Sequence, residues 1–117
     1  MKEIRHQKMS EWIRESVAFI LEFKLQDPRR EKLTITVTRV NLAKDLSRCT
    51  VFYSVLGNEK EQKLAQHLLT HSKGFVRTEL AKSMESRRVP DLVFEFDESI
   101  AKSIEIAKKI DEVMKAS

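Results

Sequence analysis

The 117-residue chain is 41% hydrophobic and 34% charged, with one cysteine, two glycines, two prolines and a net charge of +4. One cysteine excludes an internal disulfide framework, and two glycines cannot build a glycine-rich phosphate loop. No apolar run nears the ~20 residues that span a bilayer, and the first twenty residues mix charge with apolar side chains, unlike a signal peptide. The expectation is one domain over residues 1–117, with no membrane partner. Divided along the chain, residues 1–90 carry 18 Lys/Arg and 11 Asp/Glu, whereas residues 91–117 carry four and seven. The basic excess therefore belongs to the first three-quarters, which suits a polyanion such as nucleic acid.

Residues 3–25 predict a helix, with Met9, Trp12, Ile13, Val17, Ile20 and Leu21 at the spacing of one face. Asp27-Pro28 is expected to end it, because proline disfavours helical backbone in the residue before it. Residues 33–40 alternate β-branched and polar types and predict a strand; Val40 and Leu42 then fall out of phase, so a bulge or the strand's end is expected near Thr38. Cys49 to Leu56 predicts a second strand, joined to the first as a hairpin through Asn41 to Ser47 and closed by Gly57-Asn58.

Helical spacing returns through Leu64, Ala65, Leu68 and Leu69, then through Val76, Leu80, Ala81 and Met84. Gly74 lies between the two stretches, and a kink is expected at Ser72–Gly74, with a new helix starting near Phe75. Arg88-Val89-Pro90 breaks the helix, and Leu92 to Phe96 predicts a third strand. Asp97-Glu98-Ser99 suits a helix start, and Ile100, Ile104, Ala107, Ile110 and Met114 mark a final helix. The order is α-β-β-α(kink)α-β-α, an α+β domain in two layers with a three-stranded sheet packed by helices.

That order looks like the K-homology fold of type II. The wording narrows it: Asp27-Pro28-Arg29, Thr34 to Val40, Asp45-Leu46-Ser47, Val51 to Gly57, Ser72 to Arg77 and Pro90 to Phe94 resemble the ribosome-binding factor A family, in register over about residues 4–112. The resemblance implies a non-enzymatic assembly factor that binds immature small ribosomal subunits through ribosomal RNA and assists late maturation. It further implies an assembly GTPase as a partner, and a cytoplasmic monomer without cofactor. Two positions depart from the family pattern: Ser72 replaces the alanine of Ala-x-Gly, and Glu31 stands where many members carry a small or apolar residue.

RNA-binding K-homology domains clamp nucleotides on a Gly-x-x-Gly loop. Only one glycine stands at this kink, so shape and phosphate contacts are expected instead. The candidate phosphate ligands are Lys73, Arg77, Lys82, Arg87 and Arg88 around the kinked helices, Arg5, Lys8 and Arg14 on the first helix, and Arg29 and Arg48 at loop and strand ends. Phe75 is a candidate for base stacking, against the alternative of a local staple onto the preceding helix. Arg77 has the alternative of a structural pair with Asp91, and Glu11 and Glu15 are set to pair along the first helix.

His67 and His71 have the spacing of a metal half-site, but Leu68 follows where the catalytic zinc motif has glutamate, so no metal is expected. Cys49 reads as a small buried apolar residue. No convergent polar constellation points to an enzyme. A protein-interaction module that docks amphipathic helices, with an incidental basic surface, is the competing reading.

Overall fold

The computed structural model describes residues 2–84 and 88–116, with side chains at 3–84, 88–99 and 106–115. Helix α1 (Lys2–Phe19) runs into a π-helical turn (Ile20–Lys24), then a short helix α2 (Pro28–Glu31), strands β1 (Ile35–Leu42) and β2 (Arg48–Val55), helix α3 (Glu59–Ser83), strand β3 (Asp91–Phe96) and helix α4 (Glu98–Ala116). The sheet order is β1-β2-β3, with β1 antiparallel and β3 parallel to β2. A parallel neighbour needs a crossover, and α3 supplies it. This is the predicted α+β order, with helices on one face of the sheet.

Alternation places the core. Cys49, Val51, Tyr53 and Val55 of β2 face inward, between Val37 and Leu42 of β1 and Leu92 of β3. Ile13, Val17, Ile20 and Leu21 close over them from one side, and Ala65, Leu68, Leu69, Val76 and Leu80 of α3 from the other. Tyr53 meets Phe96 edge-on, with centroids 5.9 Å apart. Cys49 is buried, and burial pushes its thiol up to about 11, as a packed apolar residue requires.

The expected bulge is present. The β1–β2 register skips Thr38, so Val37 pairs with Tyr53 and Arg39 with Phe52. The skipped hydroxyl donates to Asp97 Oδ2 at 2.6 Å. Asp97 is only 3% exposed; it caps α4 by accepting from the Ser99 backbone N–H and hydroxyl. These bonds from Ser99 and Thr38 hold its carboxyl down at about 2. One carboxylate thus ties the β1 bulge to the start of α4.

One expectation is corrected, the helix start near Phe75, and two others are extended or fall partly outside the described residues. Asp27-Pro28 does more than end a helix: Asp27 caps α2, its Oδ1 accepting from Arg29 N at 2.9 Å, with Pro28 in the first turn where a missing N–H costs nothing. The helix before it closes on the π turn, where Leu25 N donates to Ile20 O at 3.0 Å. The kink at Ser72–Gly74 does not divide α3, which is helical from Glu59 to Ser83. No helix start therefore exists near Phe75, and the local mark of this position is a Thr78 hydroxyl donating to Gly74 O at 2.9 Å. The expected stripe of α4 falls partly outside the described side chains (Ile100, Ile104); its described apolar residues Ile106, Ile110, Val113 and Met114 are exposed.

The two glycines differ. Gly57 has φ +135°, and a Cβ there would meet the Glu61 side chain at 2.8 Å. Glu61 completes a capping box with Asn58 at the start of α3. Gly74 has open space around its Cβ position. Among the described residues no helix is long and apolar enough to cross a membrane.

Candidate nucleic-acid interface

The arginines divide into those held by the protein and those presented outward. At the elbow between α1 and β1, Arg29 donates Nε and Nη2 to the Asp27 carboxylate at 3.0 and 2.8 Å. That pairing, with the backbone bond, lowers the Asp27 carboxyl to about 2. Arg30 reaches Leu21 O at 2.9 Å and Leu33 O at 3.0 Å and pairs with Glu22. The Arg30 guanidinium stitches the π turn to the segment that leads into β1, whereas Arg29 stays on the cap of its own helix, α2. Arg14 pairs with Glu11, and Lys82 with Glu79 at 3.1 Å. Three of the candidate phosphate ligands, Arg29, Arg14 and Lys82, thus each have a carboxylate partner within the protein.

The hairpin end of the sheet is different. The turn between β1 and β2 is set by Asp45, whose Oδ1 accepts from the Ser47 N–H and hydroxyl, and by Leu46 at φ 65°. Asp91 N donates to Ser47 O at 2.9 Å, which brings the start of β3 beside this turn and places Asp91 opposite Arg48. Arg77 comes to the same place from α3, donating Nη2 to Val89 O at 3.0 Å and lying 3.5 Å from Asp91. Arg88 is exposed and close enough to Asp45 to help hold its carboxyl below the usual range, after the larger effect of the Ser47 bonds. His6 Nε2 donates to Leu42 O at 2.8 Å, which pins the first turns of α1, with exposed Arg5 and Lys8, to this end as well.

The structure thus gathers Arg5, Lys8, Arg48, Arg77 and Arg88, which come from four separate segments of sequence. Arg77 takes the structural pairing with Asp91 and still shows about half its side chain. Lys73 is exposed further back on α3. Arg87 lies outside the described residues. Phe75 is 40% exposed beside Leu25–Asp27, rather than buried as a staple.

The sequence did not single out Arg39, nor Phe19 at the end of α1 and Phe23 in the π turn. Arg39 lies 3.7 Å above the Phe52 ring on the open face of the sheet and 3.5 Å from Asp97. Its position in phase with Ile35 and Val37 was the available signal: an arginine there requires the bulge that turns it outward. Phe19 and Phe23 are 52% and 70% exposed, with rings 4.9 Å apart. His67 and His71 are exposed on α3, and no cluster of three metal-binding side chains occurs among the described residues.

A three-stranded sheet in the order β1-β2-β3, crossed by one long helix and carrying a basic end, defines a small α+β protein with a K-homology-like fold. The profile described as Ribosome-binding factor A matches residues 5–110. The chain belongs to that family. It is 37% identical over 109 residues to the ribosome-binding factor A of Dictyoglomus thermophilum, covering 93% of this chain and 90% of the relative. It is 38% identical over 115 residues to that of Staphylococcus epidermidis, covering 98% and 97%. Among solved structures, the crystal structure of ribosome-binding factor A from Thermus thermophilus is similar with a TM-score of 0.66 at 26% identity, over 77% of this chain and 92% of that one. A homology model of the Thermus thermophilus factor, fitted into a cryo-electron microscopy map of its 30S complex, is similar with a TM-score of 0.63, over 78% and 93%.

Proposed function

We propose that this protein binds immature small ribosomal subunits through their ribosomal RNA, using the hairpin end of the sheet, and assists late maturation of that RNA without catalysing a reaction. The observation that carries the reading is the convergence of Arg48, Arg77 and Arg88 with the first turns of α1 at one end of a ribosome-binding factor. Guanidiniums on a fixed scaffold meet phosphates as bidentate donors, and such contacts set register on an RNA without reading its sequence. The family's 30S complex supports the small subunit as the target, and an assembly GTPase remains the expected agent of release.

If about five phosphates are neutralised, log affinity falls with log salt with a slope of about −3.5 to −4.5. The test is co-sedimentation with immature small subunits from a strain lacking the factor. Wild type pellets with the particles at low salt, and the Arg48→Glu, Arg88→Glu double variant stays in the supernatant while melting normally. A folded double variant that pellets like wild type overturns the assignment of this end. Binding that persists at high salt and after ribonuclease treatment identifies a protein-docking module instead.

A further inference from the structure

A three-stranded sheet has two edges, and this chain treats them differently. The β1 edge is broken by the bulge at Thr38. Strand β3 has neither bulge nor proline, and its register with β2 runs unbroken from Asp91 to Phe96. Asp91 N donates to Ser47 O at 2.9 Å and Asp97 N to Tyr53 O at 2.7 Å, so the odd-numbered residues of this segment turn their N–H and C=O toward β2. The N–H and C=O of Phe94 and Phe96 therefore point away from the sheet. Such a row is a template for one more strand.

This edge opens into a cleft of about 960 Å³ between the first two turns of α3 and the start of α4. Gln62, Lys63 and Gln66 of α3 line one side, and Phe94, Glu95 and Phe96 the other. The two phenylalanines are half-buried and pack against the core, so the helix side of the edge is apolar. Glu95 is exposed on the opposite face of the strand, and Glu59 is exposed at the start of α3. Neither has an ion-pair partner among the described residues. Asp97 and Arg39 are set against each other at 3.5 Å. Apart from that pair, the lining carries Glu59, Glu95 and Glu98 against Lys63 alone.

We infer that the β3 edge takes an extended, basic segment of another protein as a fourth strand. Its backbone pairs with Phe94 and Phe96, alternate apolar side chains lie beside the two phenylalanine rings, and the intervening lysines or arginines meet Glu95 and Glu59. In this mode main-chain bonds supply affinity, and the flanking side chains supply selectivity. An RNA strand brings no row of alternating donors and acceptors, and its phosphates would face three carboxylates against one ammonium. A helix has already used its own backbone groups. The site lies at the far end of β3 from the basic hairpin turn, so RNA and a protein segment are held at separate places.

The probe is a seven-residue peptide of alternating lysine and valine, read by amide hydrogen exchange of the protein. In the free protein the Phe94 and Phe96 amides exchange fast, and those of Val93 and Glu95 slowly. The peptide at saturation slows Phe94 and Phe96 by about tenfold or more. The same peptide with every backbone nitrogen methylated keeps its charge, loses its donors and gives no protection; alternating glutamate and valine gives none either. The Glu59→Gln, Glu95→Gln double variant, altered only at exposed positions, melts normally and binds the lysine peptide about threefold or more weakly. Slow exchange at Phe94 and Phe96 in the free protein, equal protection by the methylated or the acidic peptide, or unchanged affinity in the double variant overturns the site. Protection of these amides by an oligouridylate assigns the edge to RNA, and protection that grows with protein concentration alone assigns it to a second copy; either result also overturns it.

Discussion

The elbow of residues 19–33 and the hairpin end of the sheet are both rich in arginine, yet they use it oppositely. At the elbow, Arg29 is turned onto the Asp27 carboxylate, and Arg30 onto the Leu21 and Leu33 carbonyls, where it fixes the path from the π turn toward β1. At the hairpin end, Arg48 and Arg88 are exposed, and Arg77 is tethered with about half its side chain open. Net charge therefore overstates the basic surface. An arginine already spent on buried carbonyls offers a phosphate little, whereas one anchored at its edge offers a fixed cation.

Four changes break or sharpen that contrast. Arg30→Ala strands Leu21 O and Leu33 O at a half-buried site, and the expected cost is about 2–3 kcal/mol, read as a melting temperature lower by about 10 °C. RNA affinity of the remaining folded protein is unchanged; an intact melt with weakened RNA binding would merge the two regions. Asp97→Ala removes the cap of α4 and the partner of Thr38, for about 1–2 kcal/mol in urea unfolding.

The acid limb follows from the same carboxylates. Asp97 and Asp27 both titrate near 2 when folded, below their ordinary value near 3.8. Their stabilisation is complete above about pH 4 and is lost as pH falls toward 2. In Asp97→Ala that acid-induced loss is smaller, since one of the contributors is gone. A variant with the wild-type acid limb assigns the loss to other groups.

The glycines give the smallest effects and opposite signs. Gly57→Ala places a Cβ against Glu61 at positive φ and lowers stability by about 1 kcal/mol. Gly74→Ala meets nothing within 4 Å inside a helix and raises stability by about 0.5–1 kcal/mol. If Gly74→Ala also weakens RNA binding, the glycine serves close approach of the backbone to RNA; an unchanged affinity assigns it no contact.

Much of the fold was legible because period and punctuation agree. The Thr-rich alternation of β1, its phase slip at Thr38 and the hairpin all appear as read, since each depends on neighbours in sequence. The undivided α3 was not legible, because Gly74 weakens a helix locally while Leu69, Val76 and Leu80 hold it against the sheet. α2 was missed because Asp-Pro both ends one helix and starts another. The resemblance pointed to RNA through ten basic residues, but which of them are free depends on tertiary partners. Arg29 faces Asp27 two residues away and Arg77 faces Asp91 fourteen away, and only the second pair was weighed. Phe23 was hidden for a related reason: it lies in the π turn, and a regular helix would have set it elsewhere on the wheel.

The most direct test compares salt dependence at the two regions. Affinity for small-subunit ribosomal RNA is measured across salt for wild type, the Arg48→Ala, Arg88→Ala pair, and Arg29→Ala. Loss of two exposed guanidiniums at the hairpin end flattens the slope by about 1.4–1.8, and loss of Arg29 leaves it unchanged. An unchanged slope for the pair with a flattened slope for Arg29→Ala would contradict the account and move the RNA to the elbow.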